Sequence, residues 1–142
     1  MNKSGPIIIV DDDQEDLELY SSIFASLNLK NRVLLFDDAF KFLMFMREST
    51  ENVFFILCDI NMPQMDGFEL RKELNLDTSL AAKAVPFLFF STSGNINHIS
   101  QAYRSPIQGY FLKPSNIEDI HTLFKCIVHY WNMSSHPTIK FD

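Results

Sequence analysis

The chain reads as an α/β domain built on a five-stranded parallel sheet flanked by helices. Two observations predict it. Short, wholly apolar runs stop abruptly at acidic, hydroxyl or basic residues, as strands buried on both faces do. Each run but the last is followed by apolar residues at helical spacing, and the last by a strongly periodic segment with its own start signal. Five such alternations require crossovers over a parallel sheet.

The first strand spans residues 6–10, where three isoleucines lead to Val10 and then to Asp11. Leu19, Tyr20, Ile23, Phe24 and Leu27 follow on one face of a helix. Residues 32–36 form the second strand, and Phe40, Leu43, Met44 and the stem of Arg47 continue with helical spacing. Residues 53–58 are a third strand, wholly apolar and ending at Asp59. A loop with proline and glycine leads to a helix over 67–76. Strand four covers 86–90, with Ile96, Ile99, Ala102 and Tyr103 marking the helix behind it, and strand five covers 109–112. Ser115 and Glu118 have capping-box spacing ahead of Ile117, Ile120, Leu123, Phe124, Ile127, Val128 and Trp131. The expected domain is 5–131, with a polar tail over 132–142.

A length of 142 residues suits one core, and 46% hydrophobic against 21% charged residues is a globular balance. The 14 phenylalanines can fill that core without polar atoms that need partners. A net charge of −6 argues against direct nucleic-acid binding and against docking on an anionic membrane. No run approaches the ~20 apolar residues of a membrane span. Two cysteines, Cys58 and Cys126, make no disulfide framework, which points to a reducing, cytoplasmic location. Cys58 reads as a buried strand residue, His121 and His129 as a helix stripe without a third ligand, and Met62 and Met65 as loop packing.

In parallel sheets, ligands gather at the carboxyl ends of the strands. Those ends carry Asp11, Asp12 and Asp13, then Asp59, then Ser91 and Thr92, then Lys113 and Pro114. Carboxylates 4 Å apart repel by roughly 4 kcal/mol at an effective dielectric near 20, unless one is protonated or a cation lies between them. Oxygen-only donors suit a hard cation, Mg²⁺ or Mn²⁺, and few protein carboxylates with room for water and a phosphoryl group favour Mg²⁺. Lys113 offers a second positive charge and Ser91 a hydroxyl to an incoming anion. The set suits transfer of an anion onto a carboxylate. Taken singly, each motif has a plainer reading as a solvated helix start, a helix cap or a loop; their joint placement in one register does not.

These motifs resemble the receiver domain of bacterial two-component response regulators, the single-domain chemotaxis-type members above all. The resemblance runs over nearly the whole chain. Asp11 and Asp12 look like the acidic pair after strand one. The segment from Asp59 through Asn61, Met62, Pro63 and Asp66 to Gly67 is similar to the phosphoacceptor segment and is the most specific signal. Ser91 and Thr92 resemble the hydroxyl switch position, and Tyr110, Lys113 and Pro114 the aromatic switch, lysine and proline. Leu19, Tyr20, Ile23 and Phe24 fall where the family places its first-helix apolar residues, so Asp13 is a helix-start residue outside the pair.

The resemblance implies a flavodoxin-like, doubly wound (βα)5 fold. It implies that Asp59 accepts a phosphoryl group from a sensor histidine kinase or a histidine phosphotransfer protein. Asp12 would bind Mg²⁺ directly, Asp11 through water, and Asn61 through its backbone carbonyl, with Asp59 completing the metal set. Lys113 would pair with phosphoryl oxygens, Ser91 would hydrogen-bond one of them, and Tyr110 would move with Ser91. The Lys113–Pro114 bond would be cis. The chain would act on itself only, by phosphorylation and dephosphorylation, and would signal to an unidentified downstream protein, since no further domain follows Trp131. Two departures stand out: Thr92 where many members have Ala or Gly, and a slightly long connection between Leu76 and Pro86.

Other functions fit less well. A haloacid-dehalogenase-like phosphatase also uses Asp, Mg²⁺, a hydroxyl and Lys, but needs an acid where Asn61 stands. A flavodoxin-like cofactor binder needs a phosphate loop after strand one that is absent here. A pseudo-receiver that only binds proteins would lack an essential residue, and none is missing.

Overall fold

The computed structural model describes residues 1–135; the part of the expected tail over 136–142 lies outside the described residues. Five parallel strands, β1 (Ile7–Val10), β2 (Val33–Phe36), β3 (Phe55–Cys58), β4 (Phe87–Ser91) and β5 (Gly109–Leu112), form one sheet in the order β2-β1-β3-β4-β5. The central strands β1, β3 and β4 are buried at every position, whereas the edges β2 and β5 are largely half-exposed. That is why the three central runs are wholly apolar in sequence.

Side chains alternate across the sheet and divide the core in two. Ile8 and Val10 face one layer, with α2 (Ala39–Glu48), α3 (Gly67–Leu76) and α5 (Ile96–Tyr103). Ile7 and Ile9 face the other, with α1 (Gln14–Ser26) and α6 (Ile117–Met133). Phe24, Phe55, Phe90 and Phe124 lie in this second layer, and Phe24 stacks on Phe124 with ring centroids 4.3 Å apart. The sheet is therefore doubly wound, as expected. The chain leaves β1 toward β2 and returns to pair β3 on the other side, so the topological switch point lies at the carboxyl ends of β1 and β3.

Four local expectations need correction. The long connection after Leu76 holds a short helix, α4 (Thr78–Ala81), capped by Asp77, which accepts from the N–H groups of Ser79 and Leu80. One turn is too short to show periodicity. Helix α6 starts one residue later than the Ser115–Glu118 pattern suggests. Asn116 is its cap, accepting from Asp119 N–H while its own amide donates to the Asp119 carboxylate. The two side chains engage each other, but unlike a capping box this pair satisfies one backbone N–H, that of Asp119, and the return bond is between side chains. The same helix runs to Met133, past the expected boundary at 131, because Val128 and Trp131 pack against the second layer. The Lys113–Pro114 bond is trans, not cis; trans is the lower-energy isomer for X–Pro by about 0.5–1 kcal/mol.

Candidate functional site

Hydrogen bonds between adjacent strands continue past the strand ends and hold the site residues by their backbones. Asp11 N–H donates to Phe36 O at 3.0 Å, Asp59 N–H to Val10 O at 2.9 Å, and Lys113 N–H to Ser91 O at 2.8 Å. Three side chains from β1, β3 and β5 thus converge on one edge. Asp13, the expected helix-start residue, caps α1 by accepting from the N–H groups of Glu15 and Asp16. Its own N–H donates to Asp11 Oδ1 at 2.9 Å. This chain of local bonds orients the Asp11 carboxylate.

Asp11, Asp12 and Asp59 each present an oxygen, and these oxygens lie within 4.8 Å of one another. Asp11 is buried, Asp59 half-buried and Asp12 exposed, so the group opens to solvent on one side. Lys113 Nζ sits against it, 2.7 Å from Asp11 Oδ2 and 3.5 Å from Asp59 Oδ2. Its ammonium also lies 5.8 Å from the rings of Tyr20 and Phe90, which shield it from water.

Burial raises the Asp59 carboxyl from 3.8 to about 6, and the charges of Asp11 and Asp12 add to the effect. Lys113 and the Ile60 N–H, which donates to Asp59 Oδ1 at 2.8 Å, work the other way. Burial also raises Asp11, offset in part by its bond to Lys113. For Lys113, burial alone disfavours the charge, yet the Asp11 hydrogen bond and the charges of Asp11 and Asp59 hold its ammonium above its ordinary value. The site therefore carries excess negative charge around one ammonium, the condition that favours a bound cation. The oxygen-only donor set fits a divalent cation.

The loop after Asp59 is held close by Gly67, whose N–H donates to Ile60 O at 2.8 Å. A Cβ at Gly67 would fall 2.4 Å from Asp59 O, so only glycine lets α3 start there. Asn61 is exposed in this loop. Cys58 is a buried strand residue, as expected, with its thiol donating to Asp59 O, and burial pushes that thiol well up.

Ser91 is buried at the end of β4, and its Oγ is engaged by Ser93 N–H at 3.2 Å rather than by Asp59. Tyr110 is half-buried, and its hydroxyl donates to Ser93 O at 2.6 Å. Ser93 Oγ in turn pairs with His98 Nδ1 at 2.8 Å, on the first turn of α5. One residue thus joins the two expected switch positions. Neither Ser93 nor His98 stood out in the sequence, because their importance comes from a turn that no spacing announces. Thr92 is exposed beside them. Asp16 was also missed: its Oδ2 lies 3.4 Å from Lys113 Nζ. The one sequence signal was its place four residues before Tyr20 on α1.

The family model for the response regulator receiver domain matches residues 7–125. The chain belongs to this family. As a receiver it has the phosphoacceptor role in a two-component system, and its acidic group is of the kind that serves that role. The receiver is 23% identical over 135 residues to the response regulator Rcp1 of Synechocystis sp., covering 92% of this chain and 90% of that one. It spans about a fifth of the length of the plant two-component response regulators that it also matches. Among solved structures, the response regulator RPA3017 in red light signalling of R. palustris superposes with a TM-score of 0.82 at 25% identity, covering 94% of this receiver and 99% of that chain. A structure of the Mn²⁺-bound form of Rcp1 shares the fold with a TM-score of 0.79 at 21% identity, covering 93% and 98% of the two chains. Among the described residues, no helix is long and apolar enough to cross a membrane.

Proposed function

We propose that Asp59 takes a phosphoryl group from a phosphohistidine on a sensor histidine kinase or a histidine phosphotransfer protein, in a Mg²⁺-dependent reaction. The observation that carries this reading is the convergence of three carboxylates and the Lys113 ammonium at the switch point of the sheet. With its carboxyl at about 6, Asp59 is ionised at neutral pH and can attack phosphorus. The new O–P bond forms as the P–N bond breaks, and the electron pair of that bond leaves on the imidazole nitrogen, which takes a proton from solvent.

Asp12, Asp11 through water, Asp59 and the Asn61 carbonyl would hold the cation. When bound, Mg²⁺ supplies positive charge to the phosphoryl oxygens. Lys113 supplies more, already desolvated and aimed at the site by Asp11. Ser91 gives up its contact with Ser93 N–H and donates to a phosphoryl oxygen, a charge-assisted bond. The Ser93 turn then shifts, and Tyr110, tied to Ser93 O, moves with it. The surface between α5 and α6 changes as a result and meets an unidentified downstream protein. The protein works in the cytoplasm, without direct contact with nucleic acid or membrane. Its chemistry is confined to its own phosphorylation and dephosphorylation.

The test is incubation with acetyl phosphate and Mg²⁺ followed by intact mass. The expected result is one phosphoryl adduct in the wild type and none in Asp59→Asn, which keeps the fold. Steady release of phosphate from unrelated esters would favour a phosphatase, and an adduct on the variant would remove Asp59 from its role.

A further inference from the structure

Asp16 is a fourth carboxylate at this centre, and neither the metal group nor helix capping uses it. It lies outside the three acids whose oxygens converge on one point. Its contact is with Lys113, at 3.4 Å, the same range as the 3.5 Å from Lys113 to Asp59. Its position is built: the Asp16 N–H donates to the Asp13 cap, and Tyr20, one turn on, flanks the same ammonium. The Asp16 side chain is 36% exposed, against 12% for Asp59. Asp16 thus faces the solvent from which a donor arrives.

We propose that Asp16 is a positioning residue for Lys113 that restrains phosphorylation by free anionic donors. This rests on the reading of Asp59 as phosphoacceptor. One ammonium has three N–H groups and one charge. Asp11 engages it at 2.7 Å, and Asp16 claims a further share, which leaves less to neutralise an incoming phosphoryl group. The Asp16 charge also repels the donor on approach. Asp16 is outside the metal group, so it supplies no ligand to a cation there.

The experiment compares wild type, Asp16→Asn and Asp16→Glu with acetyl phosphate as the donor. Asp16→Asn should be phosphorylated roughly three- to tenfold faster at low salt, and the ratio should shrink in ~0.5 M salt, where exposed charges are screened. Asp16→Glu should restore the slow rate. The Mg²⁺ dissociation constant, read by titration, should change by no more than about twofold among the three proteins, since Asp16 acts on the cation only through its charge and supplies no ligand. In the metal-free proteins, the Lys113 ¹⁵Nζ resonance should shift in Asp16→Asn. A rate in Asp16→Asn equal to or below wild type, a parallel loss of Mg²⁺ affinity, or an unmoved Lys113 resonance overturns the proposal. If the wild type itself takes no phosphoryl group, the phosphoacceptor reading fails and this inference falls with it; a phosphorylated wild type with an unaccelerated variant sinks this inference alone.

Discussion

Replacing Asp59 by Asn should stabilise the metal-free protein at neutral pH, although it removes an ionic partner of Lys113. The Asp59 side chain is 12% exposed, and its carboxyl is pushed from 3.8 to about 6, chiefly by burial. At 1.36 kcal/mol for each unit, an ionised Asp59 costs the folded state about 3 kcal/mol at pH 7.5. Asn is close in shape, and its amide oxygen can keep the bond from Ile60 N–H. Lys113 retains Asp11 at 2.7 Å. That cost is already net of the attraction to Lys113; with an amide NH2 facing the ammonium in place of a carboxyl, the expected gain is about 2 kcal/mol, roughly 5–8 °C in Tm for a chain of this size. The gain must depend on pH. Between about pH 4 and 6 the folded state holds a proton on Asp59 that the unfolded chain has released, so wild-type stability from this group falls as pH rises through that window. The gap to the variant should therefore be full above pH 7 and nearly closed at pH 4. Urea unfolding in EDTA at pH 7.5, 6 and 4.5 measures it. Equal stabilities at pH 7.5, or a gap that does not change with pH, would refute the reasoning. Saturating Mg²⁺ should then narrow the gap, because the wild type gains more from binding than a variant missing one ligand.

Asp12→Ala should weaken Mg²⁺ binding roughly tenfold or more while leaving stability nearly unchanged, since Asp12 is exposed; a titration matching wild type would move the metal role to another acid. Ser91→Ala should still be phosphorylated on Asp59 but lose the link through Ser93, so the Tyr110 ring signals should respond weakly to beryllofluoride; an equal response in both proteins would break the proposed coupling. Gly67→Ala should destabilise the fold by roughly 2–3 kcal/mol and slow phosphorylation, because its Cβ would meet Asp59 O at 2.4 Å and displace the phosphoacceptor. Urea unfolding and intact mass read the two effects separately.

Much of this molecule is legible before folding. Helix α3 and strand β5 have the bounds that spacing predicts, and the three apolar runs are the three central strands. Asp13 is the cap that its place after the acidic pair suggests. These features depend on a residue and its near neighbours, and local patterns carry them well. The single turn of α4 and the shift of the α6 cap to Asn116 escaped because neighbouring residues offer equivalent caps and one turn has no period.

The sequence by itself determined which residues arrive at the carboxyl edge of the sheet, because an alternating α/β chain places every strand end on the same side. It also determined that Asp59 stands among other acids with one lysine. Only the tertiary structure decided how that lysine is shared. Lys113 and Asp16 are 97 positions apart in the chain, yet 3.4 Å apart in space. The packing of α1 and α6 under the sheet buries Tyr20 and Phe90 around the ammonium, and so sets both its distances and its surroundings. Charge energies depend on distance and on exclusion of water, and neither is a property of sequence spacing. The same holds for Ser93, which joins Ser91 to Tyr110 through its backbone. A backbone N–H and carbonyl are present at nearly every residue, and only the fold makes one pair of them part of the proposed switch.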